Sequence, residues 1–513
     1  MKHCSPFKLR NPSPPPNESS DDEEKEEKAN NEKSDRKVGG PDAIGDTIYS
    51  KSWLLSVLSR VVEQAQVNST NKEVVKTDLV LDKELEDDMC KIWDMSMDEV
   101  VAAFLQKVNG ISVLHGVIER SLSWRLIEIC VGILGNMTCF LPCCLALNND
   151  EAFIDFLLQL LGESDPPTLL ETSRLILTCL SHNEASSSWL AKMKTLDSVF
   201  DNVCFILKSS TNADLLLKVG KVLDSAFDQD EELMVKWATK NSQDEKSINN
   251  PPSTLTLALF EAILQLRTES PEALEVYLHV LQLLTTTDEG SSALVRPSSK
   301  EYQVWHLLLD ILTDLCHPAD PVAALLEQRV SLACILSVLS TMLSSPGGHL
   351  NNVANSHKLL RDILTVFQYL ASVKSSGKPN VDWGALPLTR ERCKRSTWST
   401  ERDGSGNGRR GGKRESEIRD LQLFGDDPHV AIIRESAKDI LATVCLHCSA
   451  TMLRDAITRK TISTAQLKNA VLELFPSHSE SVHHLLSELR KACPAEAELL
   501  LLESHGLAHE DSQ

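Results

Sequence analysis

The chain has 513 residues, 42% of them hydrophobic but only 5% aromatic, and its 52 basic and 73 acidic side chains leave a net charge of −21. That length exceeds one ordinary core and calls for several domains or one elongated array. Few aromatics favour helices over sheets, and the negative balance argues against a general nucleic-acid binder, because phosphates would be repelled.

Residues 1–43 read as a disordered tail. Pro12 to Pro16 favours an extended polyproline form. Residues 18–35 then carry nine acids against three bases, and Val38 is the only large aliphatic residue between Asn11 and Ala43. That is too little to offset the entropy of ordering. Solvation is the simplest role of such a tail. A sharper one is a docking or phosphorylation segment, with Ser13-Pro14 suited to a proline-directed kinase. The start lacks the apolar run of a secretory signal, and no stretch reaches the ~18 apolar residues of a membrane span. Residues 126–147 come nearest, interrupted by Glu128, Asn136 and Pro142. The expectation is an intracellular chain with no membrane partner, whose 14 cysteines are small buried hydrophobes, not a disulfide framework.

Order is expected from Ile44, with helical spacing over Trp53 to Val62, Leu79 to Trp93 and Met97 to Leu105. Three stretches then repeat one pattern: Leu126 to Asn136, Leu169 to Cys179 and Leu216 to Ala226. Their charged marks, Glu128, Glu171 and Lys218, stand 43 and 47 residues apart. That step suits the roughly 40–47-residue units of armadillo and HEAT solenoids. Asp165 before Pro166 reads as a helix cap, with Thr168 and Glu171 as an alternative capping box. Asp427 before Pro428, and Asn212 before Leu215, repeat the device.

Further helices are expected over 253–266, 271–287, 301–316, 321–343, 357–373 and 428–450. The fold class is therefore all-α, an armadillo/HEAT-like α-solenoid over 44–373. A disordered basic, glycine-rich insert follows over 374–425. A C-terminal repeat with capping helices occupies 426–513, ending in two or three helices over Ala465 to Phe475, Ser479 to Ala492 and Ala495 to Leu507.

Chemistry-bearing motifs are sparse. Gly406 to Gly411 fits GxGxxG, but its flanks are Arg, Lys, Ser and Asp with no strand before them, so it reads as coincidence. Nine cations between Arg390 and Arg414 read as a solvated loop or a splice-derived insert without a role, or else as a nuclear-localisation or weak RNA-contact patch. Cys445, His447 and Cys448 resemble half a zinc site, and Cys139, Cys143 and Cys144 form another cluster. Neither has the spacing of a second half. No HExxH, GxSxG, P-loop or kinase motif is present. No catalytic, cofactor-binding or metal residue is assigned, and no cofactor. Peptide-binding armadillo proteins hold an extended ligand with a ladder of third-helix asparagines. Here Asn136 is followed at the repeat offset by Cys179 and Ala226, a single rung.

The stretches Arg10 to Pro16, Ile44 to Lys51, Ile92 to Glu99, Glu128 to Met137, Ser164 to Arg174 and Asn212 to Asp228 resemble the serum amyloid A-like (SAAL) family. The resemblance implies an armadillo-type fold, a nuclear location and promotion of synovial fibroblast proliferation under pro-inflammatory stimuli. It supplies no catalytic or ligand residues and does not cover the 390–414 insert. The expected function is a non-enzymatic nuclear scaffold acting through protein partners of unknown identity. The alternative is a transport or cargo adaptor that binds linear peptide signals.

Overall fold

The computed structural model describes residues 40–69, 81–240, 254–295, 301–317, 327–345, 357–376, 427–495 and 497–498. The tail to residue 39, residues 377–426 with the GxGxxG match and the basic cluster, and nearly all of the last expected helix lie outside those residues. Among the described residues there are twenty-two α-helices and no β-sheet, only an isolated bridge between Ala43 and Ser50.

The helices group into eight units. The first is α1 (Lys51–Ser69) with α2 (Lys83–Met95). Three-helix units follow: α3 (Glu99–Lys107), α4 (Gly110–Arg120) and α5 (Trp124–Met137), then α6 (Leu141–Asn148), α7 (Glu151–Gln159) and α8 (Pro166–Ser181). Next come α9 (Asn183–Thr195), α10 (Asp197–Ser209) and α11 (Ala213–Gln229), and α12 (Glu231–Thr239), α13 (Thr254–Leu266) and α14 (Pro271–Leu284). The sixth unit is α15 (Asp288–Val295), α16 (Glu301–Cys316) and α17 (Arg329–Ser344). A pair, α18 (His357–Ser376) and α19 (Pro428–His447), precedes the closing unit of α20 (Ala450–Thr458), α21 (Thr464–Leu474) and α22 (Ser479–Ala492).

The last helix of every unit packs on the last helix of the next, giving one row through α2, α5, α8, α11, α14, α17, α19 and α22. The first helices α3, α6, α9, α12 and α15, short in every unit but that of α9, form a second row, and the middle helices cover the opposite side. From α5 onward this last-helix row, called the inner row below, is the most extensively packed at each step. Short first helix, longer second and third, stacked unit on unit: this is an armadillo-like solenoid.

Sequence explains why these segments are helices and why they stack. In α5, Leu126, Ile127 and every residue from Ile129 to Met137 are buried, so the helix is apolar on nearly all sides and must be covered from both. Asp165 accepts the Thr168 amide at 3.0 Å, Asn212 the Leu215 amide at 3.0 Å, and Asp427 the His429 amide at 2.8 Å. Each such cap is worth about 1 kcal/mol. The alternative box does not form, because Thr168 lies inside α8 and Glu171 turns to Arg174 at 2.7 Å. α18 runs on to Ser376, past the expected end at 373, since nothing breaks the helix before Gly377.

Close approach within the row needs two glycines. A Cβ on Gly132 would lie 2.2 Å from the Trp93 ring of α2, and one on Gly220 would lie 2.9 Å from the Tyr277 ring of α14.

Two stability outcomes follow from this packing. Leu175 on α8 is fully buried, so Leu175→Asp places a charge in a dry interface and should cost more than about 3 kcal/mol. Retained helicity and solubility of that variant in a circular-dichroism melt would contradict the assigned register. The second compares two glycines. Gly132→Ala should lose about 2 kcal/mol by overpacking against Trp93. Gly116→Ala in α4, where only the mobile end of Arg120 is near, should gain up to about 1 kcal/mol from helix propensity. Denaturant midpoints of the two variants give the signs directly.

Candidate interaction surface

The helix ends of the inner row are tied together by side chains reaching back one unit. The last carbonyls of a helix have no partner of their own. Asn136 at the end of α5 donates to the Trp93 carbonyl of α2 at 2.8 Å. His182 after α8 meets the Thr138 carbonyl at 2.9 Å, and Gln229 of α11 donates to the Leu180 carbonyl of α8 at 3.0 Å. At the far end His484 of α22 meets the Cys445 carbonyl of α19 at 2.8 Å. Asn136 is thus a cap for its neighbour, and Cys179 and Ala226 at its repeat offsets are fully buried. None of the three positions presents a rung to a ligand.

Charged side chains form a second set of ties on the same row. Arg125 of α5 bridges Glu86 of α2 and its own Glu128, both at 2.7 Å. Arg174 of α8 holds Glu171 and donates to the Gly132 carbonyl of α5 at 2.9 Å. Between α11 and α14, Lys221 meets Glu272 at 2.5 Å and Asp224 meets His279 at 2.5 Å. Between α17 and α19, Arg329 meets Asp427 at 2.6 Å. The repeat marks Glu128, Glu171 and Lys218 fall on successive helices of this row, and Glu275 on α14 continues it, near Ser331 of α17.

Burial sets the electrostatics of these groups. It lifts the Glu128 carboxyl above the usual range, against the pull of Arg125. It likewise lifts Glu275, which His429 and Arg329 pull the other way. Lys218 is the exception in kind. Half-buried, it has no hydrogen bond or salt bridge among the described residues. Burial, with Lys221 and Arg174 on either side, pushes its ammonium below the ordinary lysine value. Glu272 and Glu171 pull the other way without contacting it. A partly desolvated cation with no direct partner among the described residues is a place where an anionic group from outside would be stabilised.

The cysteine clusters lie elsewhere in the fold. Cys445 and Cys448 are buried, the Cys448 thiol donates to the Cys445 carbonyl at 3.1 Å, and burial pushes Cys448 up to about 12. His447 turns to the Thr443 carbonyl at 2.9 Å. Cys143 and Cys144 are buried while Cys139 is exposed. Among the described residues no three His, Cys, Asp or Glu side chains form a group able to hold a metal ion. No single described helix is long and apolar enough to cross a membrane.

A family model described as the SAAL1 C-terminal domain matches residues 199–482, from α10 into α22. Protein saal1 of Danio rerio is 39% identical over 461 residues, which span 90% of this chain and 89% of that protein. The chain belongs to the SAAL1 family. Protein SAAL1 of Homo sapiens is 36% identical over 471 residues, covering 90% of this chain and 93% of that one. Among solved structures, a designed armadillo repeat protein in complex with the peptide (KR)4 superposes with a TM-score of 0.38 at 14% identity, over 55% of this chain and 99% of its own. The SYS-1/POP-1 complex gives 0.33 at 12%, over 86% and 94%. Those likenesses are too distant to speak to function. In SAAL1-family terms, the matched domain holds Lys218, Lys221, Glu275, His279 and the Arg329–Asp427 tie, while Arg125, Glu128, Glu171 and Arg174 precede it.

Two ties of this row titrate in opposite senses. Burial works against the His279 imidazolium, but Asp224 outweighs it and holds the group above its ordinary 6.5. Its contribution to stability is therefore full below about 6.5 and lost as pH rises through the raised value. Burial works against the Asp427 anion too, but His429 and Arg329 bring it from 3.8 down to about 2. That contribution is full above the ordinary value and lost as pH falls through about 2. His279→Gln should accordingly cost more melting temperature at pH 6 than at pH 8.5, and Asp427→Asn more at pH 7 than at pH 3. Equal costs across pH would remove the pairs from the stability of the array.

Proposed function

We propose that the chain is a non-enzymatic nuclear scaffold that promotes cell proliferation by holding protein partners along its inner helix row. The SAAL resemblance supports the location and the proliferative role. The observation that carries the binding mode is Lys218, a half-buried cation at the middle of the array with no directly bonded counter-charge among the described residues. Around it Arg174 and Lys221 are committed to Glu171 and Glu272, so one positive charge remains for a partner's carboxylate or phosphate. Folded partners suit this surface better than an extended peptide, since Asn136 is spent on the Trp93 carbonyl. That weighs against the cargo-adaptor reading.

The test compares full-length chain with Lys218→Glu and with Lys208→Glu, an exposed control on α10, in quantitative affinity purification from nuclear extract. The inner-row variant should lose its stable partners about tenfold or more, as expected when a partly buried charge pair is reversed, and the control should keep them. Growth of cells depleted of the protein should be restored by the wild type and not by Lys218→Glu. Undiminished partner recovery with that variant would move the binding face elsewhere. Exclusively cytoplasmic fluorescence of the tagged chain would overturn the location.

A further inference from the structure

At the opposite end from the last units, the turn before α1 and the end of α2 enclose a groove of about 400 Å³. Its apolar surface comes from Ile48, Tyr49, Trp53 and Met95, with Lys91 and Asp94 also lining it. Ile48 is 83% exposed, a large aliphatic group standing in solvent with aromatic rings beside it. The two charged members differ in kind. Lys91 is bound to Asp88 at 2.9 Å, whereas the exposed Asp94 carboxylate has no hydrogen bond or salt bridge among the described residues. The surroundings are acidic as well, with nine acids against two bases over residues 78–99. An aromatic-walled groove with one free carboxylate fits a proline-rich strand carrying a neighbouring arginine. The pyrrolidine rings stack on the aromatic walls at little entropic cost, and the guanidinium meets the acid.

The chain carries such a strand itself. Arg10-Asn-Pro-Ser-Pro-Pro-Pro16 lies in a stretch with three cations, Lys2, Lys8 and Arg10, and no acid before Glu18. We propose that residues Arg10–Pro16 dock in the Ile48–Tyr49–Trp53 groove of the same molecule and close it to proline-rich segments of other proteins. The connection allows it. Residues 17–39 join Pro16 to Gly40, and those 23 residues span up to about 80 Å when extended. Gly40 in turn is tied to the groove's own turn, where Ala43 donates to the Gly40 carbonyl at 2.9 Å and bridges to Ser50. A ligand tethered this near competes at an effective concentration of order millimolar, so a contact with a dissociation constant well below about a millimolar is mostly formed. This contact is independent of Lys218 and of the partners proposed for the inner row.

The test uses the full chain with the photo-cross-linking residue benzoylphenylalanine in place of Ile48, a position whose exposure lets it accept the change without disturbing the core. After irradiation, mass spectrometry should find the adduct on a peptide within residues 6–17 of the same chain, at monomer mass and at a yield unchanged by dilution. Arg10→Glu combined with Pro14→Ala and Pro15→Ala should lower that yield about tenfold or more, since one charge contact and the stacking are removed together. An adduct at dimer mass, one on another part of the chain, no adduct, or a yield indifferent to the triple variant would each overturn the proposal.

Discussion

No unit of this array can cover its own last helix. α5 is buried on nearly all sides and α8 and α11 over about half of their residues, while a single three-helix unit supplies a wall on one side only. The neighbouring unit supplies the other, so the fold exists as a stack or not at all. The polar ends obey the same constraint. His182 and Gln229 each satisfy a helix-end carbonyl of the unit before, where an isolated unit would leave it to water, and Asn136 adds a second donor to the Trp93 carbonyl beside the Ser96 hydroxyl. Apolar burial and carbonyl capping therefore act across the same joints and reinforce one another.

Tight packing of the inner row decides what its remaining polar residues can do. Where glycine lets a ring of a neighbouring helix approach, as at Gly132 and Gly220, there is no room for solvent, and long charged side chains bridge beside the contact. Half-exposed pairs such as Arg125–Glu128 add little net stability, because what Coulomb attraction supplies is largely offset by side-chain entropy and solvent screening. Against that background a charge left out of the network stands apart, and Lys218 is such a charge on the inner row.

The repeat was legible because the last helices carry the strongest periodic apolar pattern, and the step between their charged marks gives the unit length. Asp165, Asn212 and Asp427 were legible as caps because capping is local, three residues or fewer from donor to acceptor. The short helices α6, α12 and α15, of eight or nine residues, were not separated in the sequence. Two turns give too few buried positions to establish a period. Asn136 was misleading for a different reason. Its type and its place on the helix suggest a ligand rung, but its partner is a backbone carbonyl 43 residues earlier, which no residue pattern records. The groove beside Trp53 was hidden likewise, its walls Tyr49 and Met95 lying 46 residues apart.

The same distinction between local and long-range signals explains how the array continues across its longest interruption. α18 and α19 belong to one unit although residues 377–426 separate them. Closing a connection costs only about 0.6 kcal/mol more for each doubling of its length, so the stack tolerates such an insertion if the chain is recaptured where it re-enters. Asp427 does this in three ways at one residue. It caps α19 through the His429 amide, holds the His429 ring at 2.9 Å, and receives Arg329 from α17 at 2.6 Å. Helix initiation and docking on the preceding unit are thereby coupled at a single carboxylate, and α19 begins only where it can also stack.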